Sequence, residues 1–318
     1  MLPRNRDQYK GIWVKTLTPF DYEGDILKNT LLKHYEFLQE GGISGIIPLT
    51  PIGEAPSLTF DEKVLILRKY GEKAMGMRII PAIFENSLND AKYFVKVAIS
   101  AGVDGILVYP PHFYSYIKQK KIYQYYKELF KETQKYEPKI PIFIAINDPY
   151  SKIPLSDLFL EKLARKFENI YGVLDYEATF NSIKQFQEKF PNLVYFSVNE
   201  EEHLNLLQNG VEGIVSIIGN AFPHLVSTLY RLIKKKQSEE NMEQAILFQQ
   251  QIKMIQETLQ NYPIHSALKY ALYQQQFPAM NVRLPLDSLK ESQKTVLKDG
   301  IKGILGRISA FQAKNSCE

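Results

Sequence analysis

The chain has 318 residues, 45% hydrophobic and 23% charged, which suits one large globular domain or two smaller ones and excludes disordered, collagen-like and coiled-coil proteins. Its 39 Lys and Arg against 35 Asp and Glu leave a net charge of +4 spread along the sequence, without the clustered basic footprint of a nucleic-acid-binding protein. A lone cysteine, Cys317, excludes an internal disulfide or thiolate cluster, and neither a signal-peptide core in MLPRNRDQYKGIW nor any run of 18 apolar residues occurs, so a soluble cytoplasmic protein without membrane contact is expected.

In chain order, short apolar runs predict strands at 11–17, 43–49, 79–84, 105–109, 141–146, 170–174, 193–197 and 213–218. Amphipathic stretches lie between them. Ala91, Phe94, Val95 and Ala98 recur at helical spacing, as do Leu160, Leu163, Ala164 and Phe167 behind Ser156 as N-cap. Runs such as SGIIPL, DGILVY and IPIFIAI are continuously apolar, the pattern of strands covered on both faces in a parallel sheet. Repeated strand–helix units of this number predict an α/β fold, a (β/α)8 TIM barrel; no glycine-rich phosphate fingerprint follows the first strand, which weakens a dinucleotide-binding alternative. Beyond residue 230 only helical patterns remain, so the boundaries are set at 8–230 for the barrel and 231–318 for a C-terminal helical domain. The Lys234–Lys236 run reads as a solvated helix end.

Five segments carry a resemblance: GIWVKTLTPFDYEGDI, GIIPLTPIGEAPSLTFDEK, AGVDGILVYPPHFY, NGVEGIVSIIGNAFP and ALKYALYQQQFPAMNVRLPL. In order and spacing, over nearly the whole chain, they resemble the dihydrodipicolinate synthase and N-acetylneuraminate lyase family. The resemblance implies the same barrel with helical extension, commonly a homotetramer, and class I aldolase chemistry on pyruvate without a cofactor.

That chemistry needs an amine to form a Schiff base, a tyrosine to relay protons and donors for the pyruvate carboxylate. In the family the lysine ends the sixth strand in a Gly-Ile-Lys-Asp motif; the matching stretch here is Gly172-Val173-Leu174-Asp175, with Leu174 at the lysine position. No lysine occurs anywhere in IYGVLDYEAT, so a small shift of register recovers none. The tyrosine of Tyr-Asn-Val-Pro is matched by Ile146, and the carboxylate loop Gly-Thr-Thr-Gly-Glu reads Thr50-Pro51-Ile52-Gly53-Glu54, with both threonines replaced and one backbone N–H lost to proline. The resemblance thus outlines a substrate pocket of Pro51, Ile52, Gly53, Ile146, Leu174 and Val215. Tyr114, in PPHFY, matches the family's proton-relay tyrosine donated across a subunit interface and is the second catalytic candidate beside Lys15, with aromatic packing at that contact the preferred role. Gly53 and Glu54 are read as a turn and helix start, and Arg283 and Pro285 as tail packing.

Other chemistries find little support. The five histidines (His34, His112, His203, His224, His265) show no metal-ligand spacing and are expected at the surface or as caps, no metal site is expected, and no G-x-S-x-G elbow occurs. Carboxylates do gather at predicted strand ends: Glu85, Asp148, Asp175, Glu177 and Glu200, read as helix caps rather than a cation site. Lys15 replaces a small family residue facing the cavity. Strand alternation puts it on one face with Trp13 and Leu17, and the resemblance implies that this face points inward, into the barrel mouth near Leu174 and Ile146, where either Glu54 or Glu85 pairs with it or burial lowers its pKa into the nucleophilic range.

Two functions follow: a paralogue with a degenerate site that binds a small molecule or serves assembly, or a diverged lyase or aldolase on a 2-oxo acid with Lys15 as relocated amine. The first reading is preferred on the sequence, and family-like synthase or sialic acid cleavage is not expected. The YPPHFYSY aromatics predict self-association to a dimer or tetramer.

Overall fold

The computed structural model describes residues 6–72, 76–114, 116–211, 213–234 and 238–315; Lys235, Lys236 and Cys317 lie outside them. Each apolar run contributes a short parallel strand: β1 (Gly11–Val14), β2 (Gly45–Ile46), β3 (Arg78–Ile79), β4 (Ala82–Ile83), β5 (Ile106–Val108), β6 (Ile142–Ile146), β7 (Ile170–Asp175), β8 (Val194–Ser197) and β9 (Gly213–Ser216). The spatial order is β3-β2-β1-β9-β8-β7-β6-β5-β4. Its two ends are halves of one barrel strand, interrupted at Ile80–Pro81 where proline has no N–H to give. Ala82 N–H donates to Pro48 O (2.9 Å) on one side, and Pro81 O accepts from Leu107 N–H (3.0 Å) on the other, so this strand closes an eight-stranded (β/α)8 barrel.

Two apolar layers divide the side chains. Trp13, Phe143, Leu174, Phe196 and Val215 belong to the cluster inside the barrel. Ile12, Val14, Ile144 and Val173 face the helices. Small residues make room for the large inner rings: a Cβ on Gly45 would sit 2.4 Å from the Trp13 ring, and one on Gly213 2.5 Å from Phe196. At Gly172 the obstacle is backbone, since a Cβ would lie 2.2 Å from Val194 O. The β6–β7 register also shifts here, Ile142 facing Ile170 and Phe143 facing Gly172. Gly172→Ala is therefore expected to cost about 1–3 kcal/mol, read as a lower urea midpoint at unchanged slope.

The helices follow the apolar spacing. Ala91, Phe94, Val95 and Ala98 are the buried face of helix Leu88–Ser100, capped by Ser87. Helix Asp157–Lys166 buries Leu160 and Leu163 and starts at Ser156, whose Oγ accepts from Phe159 N–H at 3.3 Å. Helix Pro223–Lys234 runs through residue 230 and ends the barrel. Helix Glu239–Gln260 packs against it and against Glu291–Asn315, with Ile264–Tyr273 alongside.

Two histidines differ from expectation. His34 and His203 are 2% and 0% exposed, on the inner faces of their helices, where a neutral imidazole packs as a flat ring. His34 Nε2 lies 3.0 Å from Asn220 O, whereas neither ring nitrogen of His203 has a partner among the described residues. Burial pushes His34 down to about 4 and His203 down to about 3. Between about pH 6.5 and those values the unfolded chain binds protons that the folded chain does not, so stability falls as pH falls. From about pH 7 to about pH 5 each histidine is expected to remove about 2 kcal/mol. His203→Leu should abolish its share, seen as a shallower loss of denaturant midpoint with acid.

Candidate active site

Lys15 is the next inward residue after Trp13, just beyond β1, and is 6% exposed. Its backbone N–H donates to Ser216 O (3.3 Å) at the end of β9. Its Nζ lies 4.5 Å from the centre of the Tyr176 ring, and the Tyr176 hydroxyl is 2.6 Å from that of Tyr109. Neither expected carboxylate reaches it. Glu54 is taken by Lys269 at 2.5 Å, and Glu85 by Lys63. Among the described residues no hydrogen bond or ion pair joins Lys15 Nζ to a carboxylate. Burial pushes the amine down to about 8, against the opposing pull of Glu200 and Asp148.

The strand-end acids differ in what holds them. Asp148 caps its own turn, accepting from Tyr150 N–H (3.2 Å) and Ser151 N–H (2.9 Å). Asp175 accepts from Asn147 Nδ2 (2.8 Å), Glu177 N–H (3.0 Å) and the Tyr195 hydroxyl. Glu200 is 3% exposed; its Oε1 accepts from Ser216 Oγ (3.1 Å), Ile217 N–H and Ile218 N–H (3.2 Å), while its Oε2 has no partner among the described residues. Burial pushes this carboxyl up to about 7, against those three donors and Lys15.

The residues expected to form one pocket fall in three places. Leu174 and Val215 lie inside the barrel with Trp13, fully buried. Pro51, Ile52 and Gly53 form a buried 3-10 turn after β2, with Gly53 O accepting from Thr18 Oγ1 (2.6 Å) and Ile52 packed in the helix-facing layer. Ile146 also faces the helices, not Lys15, because Phe143 and Ala145 take the inward positions of β6. Leu17, expected beside Lys15, likewise joins the outer layer, since β1 ends at Val14 and the alternation ends with it. Tyr114 is 45% exposed, its ring edge-on to Phe113 at 5.2 Å. Arg283 does hold the tail, its guanidinium on Glu62 and Gly24 O.

Tyr109 and Tyr176 were not singled out by sequence reasoning. Both lie immediately beyond a strand, after β5 and β7, the rim where barrel chemistry sits, so position alone marked them. Cavities of about 440 Å³ between the C-terminal helices and about 610 Å³ beside Asp25–Thr30 do not include Lys15. Among the described residues no three His, Cys, Asp or Glu converge as metal ligands, and no helix is long and apolar enough to cross a membrane.

A closed parallel barrel with a buried amine, a carboxyl and paired tyrosine hydroxyls at the C-terminal ends of its strands, followed by packed helices, defines the α/β-barrel class whose chemistry sits on that rim. The chain belongs to the dihydrodipicolinate synthetase family, whose model matches residues 8–304. It is 27% identical over 290 residues to a 4-hydroxy-tetrahydrodipicolinate synthase of Bartonella bacilliformis, covering 91% of this chain and 95% of the relative. A synthase of Chlorobium phaeobacteroides with the same name is 29% identical over 292 residues, covering 91% and 95%. Among solved structures, a catalytic lysine mutant of the Ruminococcus gnavus sialic acid aldolase superposes with a TM-score of 0.87 at 20% identity, covering 97% of this chain and 99% of that one. That likeness shows the fold.

Proposed function

We propose that this protein is a lyase or aldolase acting on a pyruvate-like 2-oxo acid, with Lys15 as the imine-forming amine in place of a lysine on β7. The observation that carries the reading is the state of Lys15: inside the barrel mouth, without a carboxylate partner among the described residues, and pushed down to about 8. Such an amine is unprotonated in a useful fraction near neutral pH, as a carbonyl-attacking lysine must be. Leu174, in the Gly172–Asp175 stretch that matches the family's lysine motif, is fully buried among apolar side chains and has no nucleophile to offer. Relocation from β7 to β1 keeps an amine at the same rim. Lys15 Nζ lies over the ring of Tyr176, whose hydroxyl is hydrogen-bonded to that of Tyr109, which supports these two phenols as the candidate proton relay of the reading.

Incubation with pyruvate and sodium borohydride tests this. The expected result is a reduced, covalent adduct on Lys15, forming faster as pH rises through about 8 and levelling above it. Absence of any adduct, with a saturable thermal shift on a 2-oxo acid, would instead support the non-catalytic reading, which the loss of an amine at Leu174 favours.

We further propose self-association. Phe113, Tyr114 and Tyr116 are 76%, 45% and 85% exposed, three aromatics within four residues suited to burial against a second copy. Sedimentation is expected to show a dimer or tetramer; a monomer at micromolar concentration would refute this.

A further inference from the structure

We infer that the cavity between helix Ile264–Tyr273 and helix Glu291–Asn315 is a second binding site, for a small ligand that joins a planar ring to a phosphate or carboxylate. Lys15 does not line it, and the inference does not depend on the chemistry proposed there.

Helical spacing builds two unlike walls. On the first helix and just past its end, Ser266, Lys269, Tyr270, Tyr273 and Gln274 recur at i, i+3, i+4, i+7 and i+8, which turns them all to one side. On the second, Glu291, Lys294 and Lys298 share a face in the same way. An aromatic wall thus meets a basic one. The rings of Tyr270 and Tyr273 stack at 5.9 Å and 30°, and Tyr273 stays 47% exposed, so a further planar ring can extend the stack.

The inner end is held in shape without a ligand. Lys269 gives its ammonium to Glu54 (2.5 Å) and to Asn281 O (2.6 Å), and Ser266 Oγ donates to Asp287 O (2.5 Å). Other polar groups around the cavity are uncommitted. Among the described residues the side chains of Lys298, Gln274, Asn281 and Ser288 make no hydrogen bond, yet all four line it. A few convergent polar groups beside apolar ones, here Met280 and Leu289, are the usual make-up of a small-molecule site, and about 440 Å³ falls in the size range of such sites.

Charge selects the ligand. Lys269 is balanced by Glu54, which leaves Lys294 and Lys298 against one carboxylate, Glu291. In the Lys294–Glu291 pair (2.6 Å) the glutamate side chain is 88% exposed, and a pair of that kind holds weakly, so an anion in the cavity can share Lys294 and take Lys298 outright. Inorganic phosphate alone would leave the tyrosine wall bare, and an uncharged ring would leave the lysines without an anion. A ring that carries the anion satisfies both walls.

Calorimetric titration of the full-length protein with four probes tests this: AMP and 4-hydroxybenzoate, which carry ring and anion, against adenosine and inorganic phosphate, which carry one each. At least one of the first two is expected to bind once per chain with a Kd of about 1 mM or below, and adenosine and phosphate about 10-fold more weakly or worse. Binding of AMP alone would make this a nucleotide site; binding of 4-hydroxybenzoate would extend it to aromatic carboxylates. The double variant Lys294→Gln with Lys298→Gln should weaken the bound probe about 10-fold at an unchanged denaturant midpoint of the unliganded protein, and Tyr273→Ala should weaken it about 5-fold. Glu291→Gln, which frees Lys294, should tighten binding about 2-fold, a gain that a damaged fold does not produce. Saturable binding of neither aromatic anion, or binding that is indifferent to the lysine pair, would overturn the inference.

Discussion

Lys15→Met is expected to abolish the borohydride-trapped adduct while making the protein more stable. Loss of the nucleophile in a covalent mechanism reduces turnover by about 10⁴-fold or more. The stability gain has a separate origin. Burial depresses the amine from its ordinary value of 10.5 to about 8, so below that pH the folded chain carries an ammonium it solvates poorly. Methionine fills similar volume with no charge, and about 2–3 kcal/mol of stabilisation near pH 7 should follow. Denaturant titration and trapping on the same two proteins check both halves. A lysine kept only for packing would not show loss of adduct and gain of stability together.

Lys269→Ala should have the opposite effect, a loss of about 3–5 kcal/mol. Lys269 and Glu54 form a buried pair, 1% and 0% exposed at their side chains, with Lys269 Nζ also donating to Asn281 O at 2.6 Å. Glu54 Oε2 accepts from Arg283 N–H at 3.0 Å, so this one carboxylate ties helix Ile264–Tyr273 and the tail to the turn after β2. Removing the lysine leaves a buried anion without its counter-charge. The double variant Glu54→Leu with Lys269→Met should recover most of the loss, because a paired charge and a well-packed apolar pair differ little in net free energy. A denaturant midpoint that drops equally in the single and double variants would contradict this account. The same pair explains why Glu54 does not reach Lys15: a nearer amine from the C-terminal helices already occupies it.

The alternation of apolar runs with helical stretches located every barrel strand, because strand and helix spacing are local properties of the chain. Alternation puts Lys15 on one face with Trp13, and the family resemblance makes that face inward, where the Lys15 ammonium lies over the Tyr176 ring. In β6 the same rule gave no answer. IPIFIAI is apolar on both faces, so nothing in its composition tells inward from outward; the resemblance puts Ile146 in the cavity, whereas the structure turns Ala145 inward and Ile146 toward the helices. His34 and His203 show the same gap, since one polar residue on an amphipathic helix does not reveal on which side of the stripe's edge it falls.

The sequence by itself determined the barrel, its helical extension, the absence of a lysine from the β7 stretch and the presence of one just beyond β1. Only the tertiary structure decided which charges meet. Glu54 and Lys269 are 215 residues apart and pair at the junction of barrel and tail, whereas Lys15 has no carboxylate partner among the described residues and its backbone N–H shares Ser216 with Glu200. Pairing and desolvation, the two effects that set an amine's reactivity, depend on closure of the barrel and docking of the tail, and neither is encoded in the spacing of any one segment.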